Sequence, residues 1–238
     1  MNAPPRVLIL TGAGISAESG LKTFRDNNGL WEEYSVEDVA TPEAFARNPE
    51  LVYRFYNERR AQLTNVCVVP NAAHEALAKL ERVLGDSLTL ITQNVDNLHE
   101  RAGSERVIHM HGELLSSRCA TTNKTFKCDT PFDGQTLCAC CNTPTLRPDI
   151  VWFGEMPQHM ELIMESISQA DIFLAIGTSG NVYPAAGFVL GAKDSGAKCI
   201  ELNLEPTANN WFFDESISGI ATKIVPEFVE RLIKEFNL

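Results

Sequence analysis

The sequence predicts an α/β fold: a Rossmann-type parallel sheet that carries a smaller inserted domain. Short apolar runs alternate with helical patterns along the chain, which is typical of parallel sheets. Four of these runs close on small or polar residues, in the segments TGAG, TQNVDN, GTSG and NLEP. A helix-rich segment and a cysteine-rich segment interrupt the alternation, so we expect both to lie outside the sheet.

Length and composition restrict the class of protein. With 238 residues, the chain can form one large domain with an insertion, or two smaller ones. A hydrophobic content of 44% supports a packed core, and a net charge of -11 disfavours sequence-independent binding to nucleic acid. The short polar N-terminus predicts neither a signal peptide nor a membrane span. Seven cysteines, an odd number, favour a reducing compartment, so we expect a cytoplasmic protein.

The first strand leads into a glycine-rich loop. An apolar run over 7–10 is followed by Gly12, Gly14 and Ala17, which match the pattern G-x-G-x-x-G/A. Such a loop lets backbone amides approach a pyrophosphate, although an ordinary glycine turn gives the same pattern. No second strand with an acidic end follows about 20 residues later, where a dehydrogenase holds its NAD ribose. We therefore expect a ligand at this loop to be held differently than in a dehydrogenase.

The remaining elements follow from the hydrophobic period and from capping residues. Pro42 and Pro49 each stand where a helix begins, and Gly85 ends a helix predicted over 71–84. Further strands are predicted over 87–92, 106–110, 171–176 and 198–202, an extended run over 150–155, and a final amphipathic helix over 226–236. We assign residues 33–69 to a helical insertion, 113–149 to a cysteine-rich insertion, and 1–32, 70–112 and 150–238 to the Rossmann-type domain.

Parallel sheets bind ligands in the crevice outside the carboxyl ends of their strands. Any one of the four closing segments is compatible with an ordinary loop. Together, they predict one long crevice for an extended polar ligand such as a dinucleotide. The polar residues of these segments are therefore the candidates for chemistry.

Those candidates are His111 and the pair Asn94 and Asp96. A histidine titrates near neutral pH and suits a general base, although a lone histidine after a strand is more often a hydrogen-bonded structural residue. His109 and His111 lie two residues apart, so a metal-binding pair is a further alternative. Asn94 and Asp96 can grip a carboxamide and a ribose hydroxyl. Their alternative role, capping the next helix, is compatible with that one.

The cysteine-rich insertion contains one C-x-x-C pair, Cys138 and Cys141, and Cys119 upstream of it. Thr122 stands where a second pair would have its other ligand, which leaves Cys128 as the candidate at an unusual spacing. Two complete pairs would be a strong zinc signal. Two alternatives stay open: one structural zinc held by Cys119, Cys128, Cys138 and Cys141, or a metal-free loop with reduced thiols.

The order of motifs along the chain resembles that of the sirtuin family. GAGISAESG is followed by TFR, GLW, TQNVDNLHERAG, HMHGE, the cysteine module, VWFGE, GTS and NLE, over nearly the whole chain. Within the family, Thr23 and the pair Tyr56 and Arg59 resemble the bacterial CobB-type, class III branch. The resemblance implies a NAD-dependent protein-lysine deacylase. It also implies a large Rossmann-type domain and a small domain with a helical part and a zinc-ribbon-like part.

The resemblance further implies the site residues. Catalysis would rest on His111, with Asn94 and Asp96. The backbone of Val151, Phe153, Gly154 and Glu155 would pair with the substrate as an added strand. One structural zinc would be bound, although Thr122 departs from the family's pattern of four cysteines. NAD, as co-substrate, would be held along the strand ends by Gly12, Ala13, Gly14, Ser16, Ala17, Thr23, Phe24, Arg25, Trp31, Gln93, Asn94, Asp96, Gly177, Thr178, Ser179, Asn203, Leu204, Glu205 and Ala221.

The implied reaction begins when the acyl-lysine carbonyl oxygen attacks the ribose carbon as nicotinamide leaves. His111 then accepts a proton through the ribose hydroxyls, which activates the 2′-oxygen. The products would be nicotinamide, the free lysine and O-acyl-ADP-ribose, and the partners would be acylated lysine side chains of proteins, without nucleic acid or membrane. Two other classes stay open: a NAD(H)-dependent Rossmann oxidoreductase, and a non-catalytic module that binds ADP-ribose or acyl-lysine.

Tyr56 and Arg59 predict an acyl pocket that accepts a carboxylate. They lie three residues apart on a predicted helix and therefore share a face. A succinyl carboxylate is costly to bury unpaired, whereas a guanidinium binds it bidentately and a tyrosine hydroxyl adds a hydrogen bond. The alternative is that Arg59, like Arg60, is a solvated helix residue and that Tyr56 packs in the core. With the resemblance, we expect activity on succinyl as well as acetyl groups.

Overall fold

The structure, a computed structural model, describes residues 4–21, 30–31 and 34–236. Its largest element is a six-stranded sheet in which every neighbouring pair of strands is parallel. A separate three-stranded antiparallel sheet carries the cysteine-rich segment. The predicted α/β class with a Rossmann-type sheet and a smaller inserted part is confirmed.

The described elements alternate between strand and helix over most of the chain. The strands are β1 (Val7–Thr11), β2 (Leu30–Trp31), β3 (Tyr34–Ser35), β4 (Leu88–Thr92), β5 (Val107–His109), β6 (Gly112–Cys119), β7 (Thr125–Lys127), β8 (Leu146–Ile150), β9 (Ile172–Ile176), β10 (Lys198–Asn203) and β11 (Glu215–Ser218). The α-helices are α1 (Val36–Val39), α2 (Pro42–Arg47), α3 (Pro49–Leu63), α4 (Ala72–Leu84), α5 (Leu98–Arg101), α6 (Met160–Gln169), α7 (Phe188–Asp194) and α8 (Ala221–Phe236). None of the helices in the described ranges is long and apolar enough to cross a membrane.

The strand order of the large sheet creates a place for a ligand. The order is β11-β10-β9-β1-β4-β5, so the chain starts at the centre, builds to one side, and then returns to build the other side. The order therefore reverses between β1 and β9. In doubly wound sheets the loops at such a switch point diverge and leave a crevice at the carboxyl ends of the strands.

Both faces of the large sheet are covered by helices. Val7 and Ile9 of β1 pack on the side of α4 and α8, and the alternate residues Leu8 and Leu10 pack on the side of α6 and α7. Helix α4 starts as predicted, because the Asn71 side chain accepts the Ala73 N–H at 3.0 Å, and it stops at a Gly85 with φ of +56°.

The smaller part of the molecule combines the helical segment with the antiparallel sheet. Helices α2 and α3 begin at Pro42 and Pro49, as predicted, and their preceding Thr41 and Asn48 side chains cap them. Helix α3 packs beside β6, and the Nε of Arg60 donates to the Leu114 carbonyl oxygen at 3.1 Å. Arg60 is only 1% exposed, so the alternative that treats it as a solvated helix residue is wrong.

Two predicted elements differ from the structure. The extended run over 150–155 is wrong beyond Ile150, because Gly154 with φ of +91° forms a turn closed by the Glu155 N–H on the Trp152 carbonyl oxygen. The final helix begins at Ala221 rather than at Pro226, because Ile224 and Val225 are buried and their packing extends the helix towards its N-terminus.

The predicted domain limits stay a prediction. Helices α1 to α3 fall within the predicted helical insertion, 33–69. The antiparallel sheet extends slightly beyond the predicted cysteine-rich insertion, 113–149, since β6 begins at Gly112 and β8 ends at Ile150.

Candidate active site

A crevice of about 480 Å³ opens at the switch point, at the carboxyl ends of β1, β4, β9 and β10. All four predicted closing segments contribute to its walls, so the prediction of one continuous crevice is confirmed. The predicted NAD- and substrate-binding residues whose side chains are described all line it, with one exception, Glu205, which is exposed beside it. Thr23, Phe24 and Arg25 lie outside the described residues, and only the backbone of Trp31 is described.

The glycine-rich loop after β1 packs directly against the loop after β9. A Cβ at Gly14 would lie 2.8 Å from the Cα of Gly177, and one at Gly12 would lie 2.8 Å from the Gly177 carbonyl oxygen. The N–H of Gly14 donates to that carbonyl oxygen at 2.9 Å, and the N–H of Gly12 donates to Ile176. The loop continues into two 3₁₀ turns and no α-helix. These two amides therefore join the loops, and the role of the loop at a pyrophosphate stays a prediction.

The hydroxyl of Ser16 connects the glycine-rich loop to the segment after β4. It donates to the Asp96 carboxylate at 3.0 Å and accepts from the Asn94 amide at 3.2 Å. The Nε2 of His74 lies 3.4 Å from the Ser16 hydroxyl oxygen, and the Nδ1 of His74 accepts the N–H of Asn71. His74 therefore carries its proton on Nε2 and donates a hydrogen bond to Ser16. Burial lowers the pKa of His74 to about 4, which keeps the ring neutral.

Asn94 and Asp96 both face the crevice, as the two-residue spacing predicts. Val95 between them packs on the apolar cluster of the helical segment. One oxygen of Asp96 accepts the Leu98 N–H at 3.0 Å at the start of α5, which confirms the capping role. Its role in gripping a carboxamide or a ribose hydroxyl stays a prediction. Burial raises the pKa of Asp96 against the opposing hydrogen bonds from Leu98 and Ser16.

His111 follows β5 and lines the same crevice. Its Nδ1 lies 3.1 Å from the Gln93 carbonyl oxygen, which can only accept a hydrogen bond, so Nδ1 carries the proton. In the neutral ring, Nε2 is then the basic nitrogen. Burial lowers the pKa of His111, and the bond to Gln93 opposes this shift only in part. The side chain is therefore a neutral base near pH 7.

The two histidines of HMHGE have different partners, and they do not form a metal site. The Nε2 of His109 lies 2.6 Å from a Glu100 carboxylate oxygen, whereas His111 bonds to Gln93. Within the described ranges, the only group of three or more potential metal ligands consists of cysteines.

The end of the crevice near β9 and β10 is fixed by hydrogen bonds between its own residues. The amide nitrogen of Asn203 donates to the Thr178 carbonyl oxygen at 2.7 Å. Glu18 also lines the crevice, and its carboxylate accepts both the N–H and the hydroxyl of Thr222 at the start of α8. Glu18 was not among the predicted site residues, although it lies within GAGISAESG.

The opposite end of the crevice is more apolar. Tyr56, 1% exposed, accepts the Nε1–H of Trp152 at 3.0 Å, and Arg59 is 7% exposed with its guanidinium 4.1 Å from the centre of the Phe55 ring. Burial raises the pKa of Tyr56, so its hydroxyl stays protonated. The structure therefore brings both predicted acyl-pocket residues into the crevice, and it buries both. Gln62, which was not among the predicted site residues, lines the crevice one helical turn after Arg59.

The segment 151–155 forms hydrogen bonds that the prediction of an added strand did not include. The N–H of Val151 donates to the His111 carbonyl oxygen, and the N–H of Phe153 donates to Ala40. The Glu155 carboxylate accepts two bonds from Arg147, at 2.7 and 2.9 Å. Burial opposes the charge of Glu155, but the bonds to Arg147 outweigh it and lower the pKa of Glu155. These groups therefore hold the turn in place beside the crevice.

Four cysteine sulfur atoms, those of Cys119, Cys138, Cys140 and Cys141, lie within 4.8 Å of one another. The sulfurs of Cys119 and Cys141 are 3.8 Å apart. A tetrahedral zinc with bonds of about 2.3 Å requires sulfur separations of about 3.8 Å, so this group can hold one structural zinc.

The prediction that Cys128 is a zinc ligand is wrong, because Cys128 lies outside the four-cysteine group and its thiol donates to the Thr130 carbonyl oxygen. Cys140 takes its place in the group. Thr122, the residue that breaks the expected pair, has its hydroxyl 3.1 Å from the Cys140 sulfur.

The sheet and the crevice define a doubly wound, Rossmann-type protein with an inserted cysteine-rich part. The sequence profile of the Sir2 family matches residues 12–184. The NAD-dependent protein deacylase of Escherichia coli K12 is 59% identical over 231 residues, which are 97% of this chain and 83% of that protein. The deacylase of the same description from Pasteurella multocida is 57% identical over 235 residues, 98% of this chain and all of that protein. The chain belongs to the Sir2 family, and the predicted sirtuin membership is confirmed.

Solved structures agree with this membership. A Sir2 homologue in complex with NAD has a TM-score of 0.87 and 42% identity, covering 98% of this chain and 92% of that one. A Sir2 bound to a p53 peptide and NAD⁺ has a TM-score of 0.75 and 32% identity, covering 96% of this chain and 92% of that one. The chain therefore shares its fold with Sir2 proteins that bind NAD and a peptide.

Proposed function

We propose that the protein is a NAD-dependent protein-lysine deacylase. The observation that carries the proposal is a neutral His111 in the same crevice as Asn94 and Asp96, with its basic nitrogen on Nε2. The relatives from Escherichia coli and Pasteurella multocida, both described as NAD-dependent protein deacylases, support the same activity.

Four polar side chains of the crevice have a task in this proposal. Bound NAD supplies the ADP-ribose group that accepts the acyl group while nicotinamide leaves. Asn94 and Asp96 bind polar groups of the nicotinamide half, and the Ser16 hydroxyl holds both side chains in position. His111 accepts a proton at Nε2, and its Nδ1–H stays bonded to the Gln93 carbonyl oxygen throughout. The enclosed crevice limits competing water.

We further propose that the acyl pocket contains Tyr56 and Arg59 and that it accepts succinyl as well as acetyl groups. Both side chains are almost fully buried on α3 and line the crevice. A buried guanidinium offers a carboxylate two parallel hydrogen bonds, and an acetyl group is too short to use them. The protonated hydroxyl of Tyr56, which accepts the Nε1–H of Trp152 and is within reach of the Arg59 charge, adds polar character to an otherwise apolar pocket.

The peptide would bind beside the turn at 151–155, where Phe153 is 46% exposed. The Sir2 complex with a p53 peptide supports a protein substrate. We also propose a reducing, cytoplasmic location, because metal binding by the four-cysteine group requires thiols that are not oxidised.

The direct test is incubation with NAD and an acetylated or succinylated peptide, followed by quantification of nicotinamide, O-acyl-ADP-ribose and free peptide. A deacylase forms all three, and formation depends on both substrates. An oxidoreductase would form reduced NAD without nicotinamide, and a binding module would form no product. Either of these last two results would contradict the proposal.

A further inference from the structure

The ring of His109 lies between two groups that both accept hydrogen bonds. His109 ends β5 and is 7% exposed. Its Nδ1 lies 3.2 Å from the Asn94 carbonyl oxygen, and its Nε2 lies 2.6 Å from a carboxylate oxygen of Glu100 on α5. A carbonyl and a carboxylate can only accept, and a neutral imidazole has one N–H to donate. Both contacts therefore exist together only when the ring carries a proton on each nitrogen.

We propose that His109 is a positioning residue that, as an imidazolium held by Glu100, clamps the backbone of Asn94 in the crevice. This inference rests on the proposed function for its kinetic consequence, although the clamp itself is a property of the folded chain. His109 does not line the crevice, so it acts through Asn94 and contacts no reacting atom in this proposal.

Asn94 is held from three sides, and His109 supplies one of them. The backbone N–H of Asn94 donates to the Thr92 hydroxyl at 3.0 Å, and the side-chain amide of Asn94 donates to the Ser16 hydroxyl at 3.2 Å. The bond from His109 fixes its carbonyl oxygen. The neighbouring carbonyl, that of Gln93, is held by His111 in the same way. The two histidines of HMHGE thus hold consecutive peptide groups of one loop, and the loss of one contact would move the other.

The charged groups around the ring support its protonation. Burial disfavours the charge, but the hydrogen bond and charge of Glu100, with the charge of Glu113 on β6, outweigh it and raise the pKa of His109 above its usual 6.5. The carboxyl group of Asp96, in the loop after β4, also faces the His109 ring. His99 on α5 also faces it, but burial lowers the pKa of His99 strongly, so it adds no competing charge near neutral pH.

The two histidines therefore limit activity at opposite ends of the pH range. His111 must be neutral to accept a proton, and its lowered pKa places the gain of activity below pH 6.5. His109 must be charged to clamp Asn94, and its raised pKa places the loss of activity above pH 6.5. We expect a bell-shaped dependence of kcat/KM on pH, with the alkaline limb set by His109.

The test follows the pH profile of kcat/KM in wild type, Glu100→Gln and His109→Gln, with His159→Asn as a matched control at an exposed histidine. Glu100→Gln removes the charge, so the pKa of His109 should fall by about one to two units. Its amide can also donate to Nε2 of the neutral ring, so the Nδ1–H bond to Asn94 is kept at high pH and the alkaline limb should disappear. His109→Gln should lower kcat/KM about ten-fold near neutral pH and remove the limb. His159→Asn should leave the profile unchanged. An alkaline limb that stays in place in both variants would overturn the proposal.

A second readout does not depend on turnover. NMR titration of the histidine rings should give His109 a higher pKa than His111, and Glu100→Gln should lower the pKa of His109 alone. If His109 titrates below His111, or if Glu100→Gln leaves it unchanged, the clamp is wrong even in an active enzyme. If the clamp is present but the wild type forms no nicotinamide, the proposed function fails and the clamp stands.

Discussion

Replacement of Arg59 by methionine should affect the proposed desuccinylase activity much more than the deacetylase activity. Arg59 lies on α3, lines the crevice and is 7% exposed, with its guanidinium stacked 4.1 Å from the centre of the Phe55 ring. Methionine keeps an unbranched side chain of similar reach, so the Phe55 contact is retained in part. What is lost is the fixed positive charge inside the crevice.

The size of the effect follows from this burial. A hydrogen bond to a charged group contributes about 1.5–3 kcal/mol, because little water competes at a buried site. At about 1.4 kcal/mol per factor of ten, the loss of this bond should lower kcat/KM for a succinyl peptide roughly 10- to 100-fold. The acetyl group has no carboxylate for Arg59 to bind, so kcat/KM for an acetyl peptide should fall less than about three-fold.

The assay compares kcat/KM on acetyl and succinyl peptides of one sequence. The matched control is Arg54→Met, which removes an exposed arginine from the same helix and should change neither value. An equal loss of both activities in Arg59→Met would contradict the acyl pocket, because Arg59 would then hold the fold or the peptide instead of the acyl carboxylate.

Three further sets of substitutions test the general base, the cysteine group and the contact between the two glycine loops. His111→Ala should lower kcat by roughly 10²- to 10⁴-fold with an unchanged melting temperature, and near-native turnover would exclude His111 as the base. Cys140→Ser should reduce the zinc content, measured by elemental analysis, well below about one ion per chain, whereas Cys128→Ser should leave it unchanged. The reverse result would show that Cys128, and not Cys140, is the zinc ligand. Gly177→Ala should destabilise the protein by about 2 kcal/mol more than Gly196→Ala in denaturant melts. Both glycines have positive φ, but only a Cβ at Gly177 would contact backbone, 2.5 Å from the Ile15 nitrogen. Equal losses of stability would mean that the two loops shift to make room for the Cβ.

Local signals were sufficient for most of the fold. Asn71 and Gly85 predicted both ends of α4, because a cap and a glycine with positive φ depend on the residues at the helix ends alone. The glycines after β1 and β9 marked where strands end, and parallel pairing brought those ends to one edge of the sheet. The position of His111, Asn94 and Asp96 in one crevice follows from the same logic.

Features that depend on long-range packing could not be predicted in this way. Cys140 belongs to the four-cysteine group because its sulfur lies 3.3 Å from that of Cys138, and no spacing rule separates it from Cys128. Arg60 is buried because β6 supplies a carbonyl acceptor 54 positions along the chain. The pairing of His109 with Glu100 likewise requires α5 and β5 to meet.

The central claim is that one crevice couples the removal of an acyl group to the consumption of NAD. The most direct measurement is the ratio of nicotinamide, O-acyl-ADP-ribose and deacylated peptide formed by the wild-type protein in a single time course. We expect equal amounts of the three products, and none when either NAD or the acylated peptide is omitted. Deacylated peptide formed without NAD, or nicotinamide formed without an acyl-ADP-ribose product, would contradict it.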